Sequence, residues 1–183
     1  MRLCVFCGSQ PGRNPRYVAS ARHIGTLLAQ RGIGLVYGGG AHGVMGALAA
    51  ATLAAGGEAV GIIPRRLIER DVAHPRLTAL EVVETMHERK ARMHALADAF
   101  LALPGGFGTL EELFEAITHQ TLGFHHKPTG LLDVDGYFAA LLAFLANARR
   151  EGFIGADEGR APIVGTDPEK LLDELVAASR RRA

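Results

Sequence analysis

Cysteine is nearly absent from this chain of 183 residues. The two present, Cys4 and Cys7, are too few for a disulfide framework, which makes a reducing cytoplasm the expected compartment. Charge of one sign is also missing: 20 Lys plus Arg face 19 Asp plus Glu, a balance that argues against a disordered chain or a nucleic-acid tail. No apolar run reaches the roughly 18 residues of a membrane-spanning helix. The opening Met1-Arg2-Leu3-Cys4-Val5-Phe6 lacks the longer apolar stretch of an export signal and reads as a strand. Arg180-Arg181-Arg182 has no apolar companion that would anchor it to a lipid surface, so it reads as a solvated tail. The expected partners therefore include neither nucleic acid nor membrane.

What remains is 48% hydrophobic residues and 23 glycines, enough for one sizeable core and one expected domain over 1–183. Short apolar runs at 2–7, 33–37, 58–63, 81–83, 100–103, 130–132 and 163–164 read as strands. Helices are expected between them, at about 14–30, 43–55, 86–98, 109–122 and 136–150, with a last one opening at Thr166-Asp167-Pro168-Glu169, the pattern of a capping box. Such alternation predicts an α/β fold: a Rossmann-like three-layer sandwich whose mostly parallel sheet is covered by helices on both faces. Residues 64–80, with Pro64 and Pro75, read as a long loop or broken helix beside that sheet. Cys4 and Cys7, three apart on a strand, point to opposite faces, which spoils both a metal pair and a redox dithiol.

Ligands of an open parallel sheet bind beyond the carboxyl ends of its strands. Three unusual segments fall there: Gly8-Ser9, Gly38 to Gly46, and Pro104 to Glu112. The second, Gly38-Gly39-Gly40-Ala41-His42-Gly43-Val44-Met45-Gly46, offers exposed amides and a helix start, which suit a phosphate. It matches neither the P-loop nor the dinucleotide fingerprint, and Gly43 and Gly46 would equally serve close packing of helix on sheet. In the third, Pro104-Gly105-Gly106-Phe107-Gly108-Thr109-Leu110-Glu111-Glu112, Thr109 is expected to cap a helix, either closing a capping box with Glu112 or adding a hydroxyl to a phosphate site. The stripe Leu110, Leu113, Phe114 and Ile117 should pack inward, leaving Glu112 to face a cleft, a partner or solvent.

On the 86–98 helix the apolar arc of Met86, Met93, Leu96, Ala97 and Phe100 contains Arg89, with Lys90 at its border. A cation there needs an anion or a wet cleft, or else snorkels to the helix edge. Substrate phosphate, ribose or Glu112 are the expected counterparts. Arg92 and Glu88, spaced i,i+4, predict a surface ion pair. His23, His74, His94, His119, His125 and His126 show no ligand spacing, so no metal site is expected. His87 reads as a supporting contact, and Asp133-Val134-Asp135-Gly136 as a turn that steadies the site's edge.

Together, Cys7-Gly8-Ser9, the Gly38–Gly46 turn, Met86-His87-Glu88-Arg89-Lys90 and the Pro104–Glu112 motif give the chain a resemblance over nearly its whole length. It resembles the LOG ("lonely guy") family of cytokinin riboside 5'-monophosphate phosphoribohydrolases, formerly labelled lysine decarboxylases. The resemblance implies a homodimer with sites near its interface, no metal or organic cofactor, and hydrolysis of the base–ribose bond of a nucleoside 5'-monophosphate. It implies catalytic roles for Arg89 and Glu112. Substrate contacts are implied for Ser9, Gly39, Gly40, Gly43 and Met45, and for Met86 and Lys90. Gly105, Gly106, Phe107, Gly108, Thr109, Glu111 and Thr118 follow, together with Asp71, which stands where the family commonly has Glu. Decarboxylation fits poorly, because it ordinarily needs an electron sink such as pyridoxal phosphate. Two alternatives stay open: a general purine nucleoside 5'-monophosphate nucleosidase for salvage, and a non-catalytic nucleotide- or cofactor-binding protein.

Overall fold

The computed structural model describes residues 1–68, 73–155 and 161–181. Within them, strands and helices alternate. In chain order they are β1 (Arg2–Phe6), α1 (Pro15–Gln30), β2 (Gly34–Tyr37), α2 (Gly43–Ala54), β3 (Ala59–Pro64), α3 (Arg65–Ile68) and β4 (Ala79–Val83). The second half continues with α4 (Met86–Leu96), β5 (Ala99–Ala102), α5 (Phe107–Thr121), β6 (Thr129–Leu132), α6 (Ala139–Arg150), β7 (Ile163–Gly165) and α7 (Pro168–Arg180). The seven strands form one parallel sheet in the order β4-β3-β2-β1-β5-β6-β7. A parallel sheet needs crossover helices, and the expected three-layer architecture is the result.

Strand alternation sorts the core into two halves. Leu3 and Val5 of β1 pack with Ile24, Leu28, Leu48 and Leu175 from α1, α2 and α7. Cys4 and Phe6 point the other way, toward Met93, Leu113, Ala116 and Phe138. Cys4 and Cys7 thus lie in opposite halves, both buried and both free thiols. Among the described residues no helix is long and apolar enough to cross a membrane.

The chain runs outward from β1 to β4, returns to β5 beside β1, and runs outward again. That reversal makes the gap between β1 and β5 the topological switch point, where the carboxyl ends of two strands open a crevice. Hydrogen bonds lace the loops there: Gly8 N donates to Pro104 O and Met45 N to Gly8 O, each at 3.1 Å. Of the 64–80 segment expected as a loop or broken helix, Pro64 closes β3, Arg65–Ile68 form the short α3, Ala73 meets Gly40 of the glycine turn in an isolated antiparallel bridge, and Ala79 and Leu80 already belong to β4.

Helix α7 departs in one detail from its expected start. Its cap is the Asp167 carboxylate, which accepts from Glu169 N at 2.9 Å and Lys170 N at 3.2 Å, so the Thr166 hydroxyl does not fill that role.

Candidate active site

Helices α4 and α5 each follow a parallel strand, so their first turns stand over the carboxyl edge of the sheet. Arg89 projects from the start of α4 and Glu112 from the second turn of α5. Arg89 Nη2 lies 3.7 Å from Glu112 Oε1, and each residue is only 8% exposed. The same nitrogen donates to the Gly38 carbonyl at 3.4 Å, and a Cβ on Gly38 would collide with the guanidinium. Arg89 Nε is buried without a partner among the described residues. The cation inside the apolar arc therefore meets a carboxylate and a carbonyl and does not snorkel.

Burial pushes the Glu112 carboxyl up to about 7, with Arg89 pulling it down and Glu111 pushing it further up. A carboxyl that titrates near neutrality inside a cleft is suited to proton transfer. Its burial adds Glu112 to the inward side of α5, where Leu113 is buried and Leu110 and Ile117 pack against the core as the apolar stripe predicted. The inward face consists of Thr109, Glu112, Leu113, Ala116 and Gln120, whereas Leu110, Phe114 and Ile117 are only half-buried.

Helix α5 also starts two residues earlier than expected. Gly106 is its N-cap and makes no side-chain capping bond, so Thr109 sits inside the first turn, buried, and the Thr109–Glu112 capping box does not form. The first intrahelical bond is Leu110 N to Gly106 O at 3.1 Å, which leaves the Phe107, Gly108 and Thr109 amides without helical acceptors. By contrast, side-chain oxygens of Asn14, Thr85 and Asp167 cap α1, α4 and α7. Helix α2, behind the other glycine turn, likewise has no side-chain cap. These ends hold amide donors and the positive pole of a helix, the ingredients of an anion site.

Beside them at the switch point lies a cavity of about 260 Å³, lined by Gly8, Ser9, Tyr17, Gly105, Gly106 and Tyr137 among others. Gly105 is obligatory in this crevice, since a Cβ would strike Thr109 Oγ1 and Gly8 N. Tyr137 Oη donates to Gly105 O at 2.6 Å, and its ring packs edge-on against Tyr17 at 5.2 Å. Sequence reasoning did not find either tyrosine. The available signal was the Asp135-Gly136 turn just ahead of Tyr137: Asp135, at φ 53°, accepts from Asn14 Nδ2 and Arg16 Nη1, both at 2.8 Å, and so ties that turn to α1.

Residues 45–175 match the profile of a family described as "Possible lysine decarboxylase". A cytokinin riboside 5'-monophosphate phosphoribohydrolase of Oryza sativa subsp. japonica is 47% identical over 174 residues, covering 95% of this chain and 72% of the rice protein. An Arabidopsis thaliana protein of the same description is 45% identical, covering 95% and 80%. The chain belongs to the LOG family. A solved structure of similar fold, the molybdenum cofactor binding protein of Rippkaea orientalis, superposes with a TM-score of 0.74 at 23% identity, over 96% of this chain and 95% of that one. At that identity the likeness speaks for the shared fold alone.

The other site residues expected of a LOG-family chain divide into those the fold gathers and those it does not. Ser9 is exposed at the crevice; Gly39, Gly40, Gly43 and Met45 form the turn facing it. Met86 stands on the rim, its Sδ 3.8 Å from Arg89 Nη1. Phe107, at 94% exposed, turns outward from the α5 start. Lys90, buried, reaches neither Glu112 nor open solvent: it pairs with Glu111 and, at 3.1 Å, with Glu115. Thr118 is not brought to the Arg89–Glu112 pair within one chain; it lines an apolar groove with Phe114, Ile117 and Leu145. Asp71 lies outside the described residues.

Two further expectations are corrected. Arg92 grips Glu81 of β4 at 2.5 and 3.0 Å and leaves Glu88 to accept from Glu84 N at 2.9 Å. Cross-element pairing wins because Glu88 is held in a reciprocal cap with Thr85 Oγ1, which accepts from Glu88 N at 3.1 Å. The histidines expected to be unrelated are not all so: one ring nitrogen from each of His94, His119 and His125 falls within 4.8 Å of the others.

Proposed function

We propose that this chain hydrolyses the N-glycosidic bond of cytokinin riboside 5'-monophosphates, and of AMP, releasing free base and ribose 5-phosphate. The observation that carries the reading is the buried Arg89–Glu112 pair beside a helix start whose amides have no cap. The 5'-phosphate rests on the amides of Phe107 to Thr109, with the Gly39–Gly43 turn alongside. Binding energy from this handle, remote from the broken bond, is expressed at the reacting carbon.

Cleavage passes through a sugar that is positive at C1' and the ring oxygen. The electron pair of the C1'–N bond leaves with the base while water adds to C1'. Glu112, as the carboxylate, faces the developing charge and takes the proton of the attacking water; the departing base takes a proton at its nitrogen from solvent water, and Glu112 returns its own to solvent, so that one water is consumed overall. Arg89 binds substrate through its free Nε and keeps Glu112 aimed. It is not assigned as an acid, because a guanidinium does not release its proton in a protein.

The functional unit is a homodimer. A groove of about 430 Å³ lined by Phe114, Ile117, Leu122, Leu142, Leu145 and Val164, with Leu122 at 65% exposed, supports a second copy as its cover. Thr118 on this groove belongs to the same helix as Glu112, which supports a site near that interface. Two free, buried thiols are consistent with a reducing cytoplasm as the compartment.

The test is chromatography after incubation with isopentenyladenosine monophosphate, AMP and the matching nucleosides. Free base plus ribose 5-phosphate from the monophosphates, with nucleosides untouched, is the expected result. Tight retention of nucleotide with no base released would overturn the reading in favour of a carrier. AMP cleaved much faster than the prenylated substrate would assign the chain to general salvage.

A further inference from the structure

We propose that His94, His119 and His125 bind a divalent cation of the zinc class, with the Glu115 carboxylate beside His94, at a site separate from the Arg89–Glu112 pair. The three imidazoles come from three elements: the last turn of α4, the last turns of α5 and the loop leading to β6. Their ligand atoms already converge within 4.8 Å, and a tetrahedral ion with bonds of about 2.0 to 2.1 Å would draw them to about 3.3 Å. Rotation of side chains at helix ends and in a loop covers that difference.

Unsatisfied buried atoms point to the same place. His94 Nε2, His125 Nε2 and Glu115 Oε2 are all buried and without a hydrogen-bond partner among the described residues, and the first and last of them stand 3.9 Å apart. Leaving such groups unpaired is costly, and a cation held by the His94 and His125 rings would satisfy both and stand near the Glu115 carboxylate. They border a cavity of about 330 Å³, large enough to admit an ion and its water.

Ring packing is the competing explanation, since His94 and His125 lie 4.7 and 5.3 Å from Phe100. It accounts for the ring faces but not for three orphaned edge atoms. Metal capture has one local cost: Lys127 N donates to His125 Nδ1 at 3.3 Å, a long contact that is lost if Nε2 takes the metal and the proton moves to Nδ1. Two ammonium groups border the cavity. Lys90 is compensated by Glu111 and Glu115, and Lys127 Nζ is committed to the His94 carbonyl at 2.6 Å. Neutral nitrogen donors beside these cations favour an imidazole-seeking ion over Mg²⁺ or Ca²⁺, which require oxygen shells.

The full chain, freed of metal by chelator dialysis, is titrated with Co²⁺ and then Zn²⁺. The expected result is one Co²⁺ per chain with the intense visible bands of tetrahedral coordination, displaced by Zn²⁺ and indifferent to excess Mg²⁺. His119→Ala should weaken Zn²⁺ at least ~10-fold, whereas His23→Ala, on α1, should leave it unchanged. Ring-nitrogen NMR of the unaltered chain avoids any folding defect of the variants: three histidines should shift together at one equivalent of Zn²⁺. Absence of binding, octahedral bands, a thiolate charge-transfer band, or equal binding by His119→Ala and the parent chain would each overturn the proposal.

Discussion

Replacing Glu112 by Gln separates the charge of this side chain from its shape, and the structure predicts opposite effects on activity and stability. Glu112 has an ordinary carboxyl value of 4.5 when the chain is unfolded and about 7 when folded, chiefly because burial disfavours its charge. Between those values the folded state holds a proton that the unfolded state has released. Stability therefore falls as pH rises from about 4.5 to 7 and levels off above it. With about 1.4 kcal/mol for each tenfold change in proton affinity, the loss approaches about 3 kcal/mol.

E112Q cannot ionise and should not show that loss. Denaturant unfolding of both proteins at pH 5 and pH 8 is the assay, and the quantity compared is the pH dependence of the difference, which cancels every pH-independent effect of the amide. Relative to wild type, E112Q should gain on the order of 2 to 3 kcal/mol between the two pH values. It should at the same time nearly abolish base release, since a neutral amide neither accepts the water's proton nor faces a cationic sugar with charge. A difference that does not change with pH would refute the buried carboxyl titrating near 7; near-normal turnover would refute its catalytic role.

Three other outcomes follow from the same geometry. If the carboxylate is the working form, kcat/KM for base release should fall below about pH 7, and Arg89→Ala, which removes the charge that lowers Glu112, should move that limb to higher pH while weakening substrate binding; an unmoved limb would dissociate the pair. Gly38→Ala places a methyl where the Arg89 guanidinium sits and should cut turnover by about 100-fold with little change in melting temperature, whereas normal kinetics would show that this contact does not position Arg89. Leu145→Glu in the apolar groove should convert the dimer to monomer in sedimentation; an unchanged mass would place the interface elsewhere.

Much of this architecture is written in local sequence. The inner strands β1, β2, β3, β5 and β6 read out because they are almost wholly buried and form plain apolar runs, and the glycine-rich exits of β1, β2 and β5 mark the carboxyl edge; the edge strands β4 and β7 are partly exposed and left only short apolar traces. Arg89 was legible too, as a cation where the helical period demands an apolar residue. What escaped depends on choices between near-equivalent partners. Thr109 and Gly106 both precede α5 plausibly, and the helix takes the glycine because Thr109 is needed in the crevice against Gly105 and Gly8. Arg92 could reach Glu88 or Glu81; the cap at the start of α4 occupies Glu88, and the packing of α4 beside β4 brings Glu81 into reach. The Tyr137–Gly105 bond joins residues 32 apart, and the histidine trio brings His94 to His119 and His125 across 25 or more residues, a juxtaposition without any periodic trace.

Two adjacent cations on α4 show how the fold separates structure from chemistry. Lys90 is answered by two carboxylates, Glu111 and Glu115, and its charge is spent within the chain. Arg89 has one carboxylate at 3.7 Å, one carbonyl at 3.4 Å and an Nε left over. Glu111 and Glu115 push the Glu112 carboxyl up, and Lys90 and Arg89 push it down. Lys90 thus acts on Glu112 through the charges it neutralises, as a positioning residue. Of the two cations, Arg89 is the one whose carboxylate partner has a proton affinity near neutrality, and it keeps a buried Nε without a partner among the described residues, close to a helix start without a side-chain cap. A buried ion pair that served stability alone would be closed by further hydrogen bonds; one left open beside an anion site is built to receive a third party.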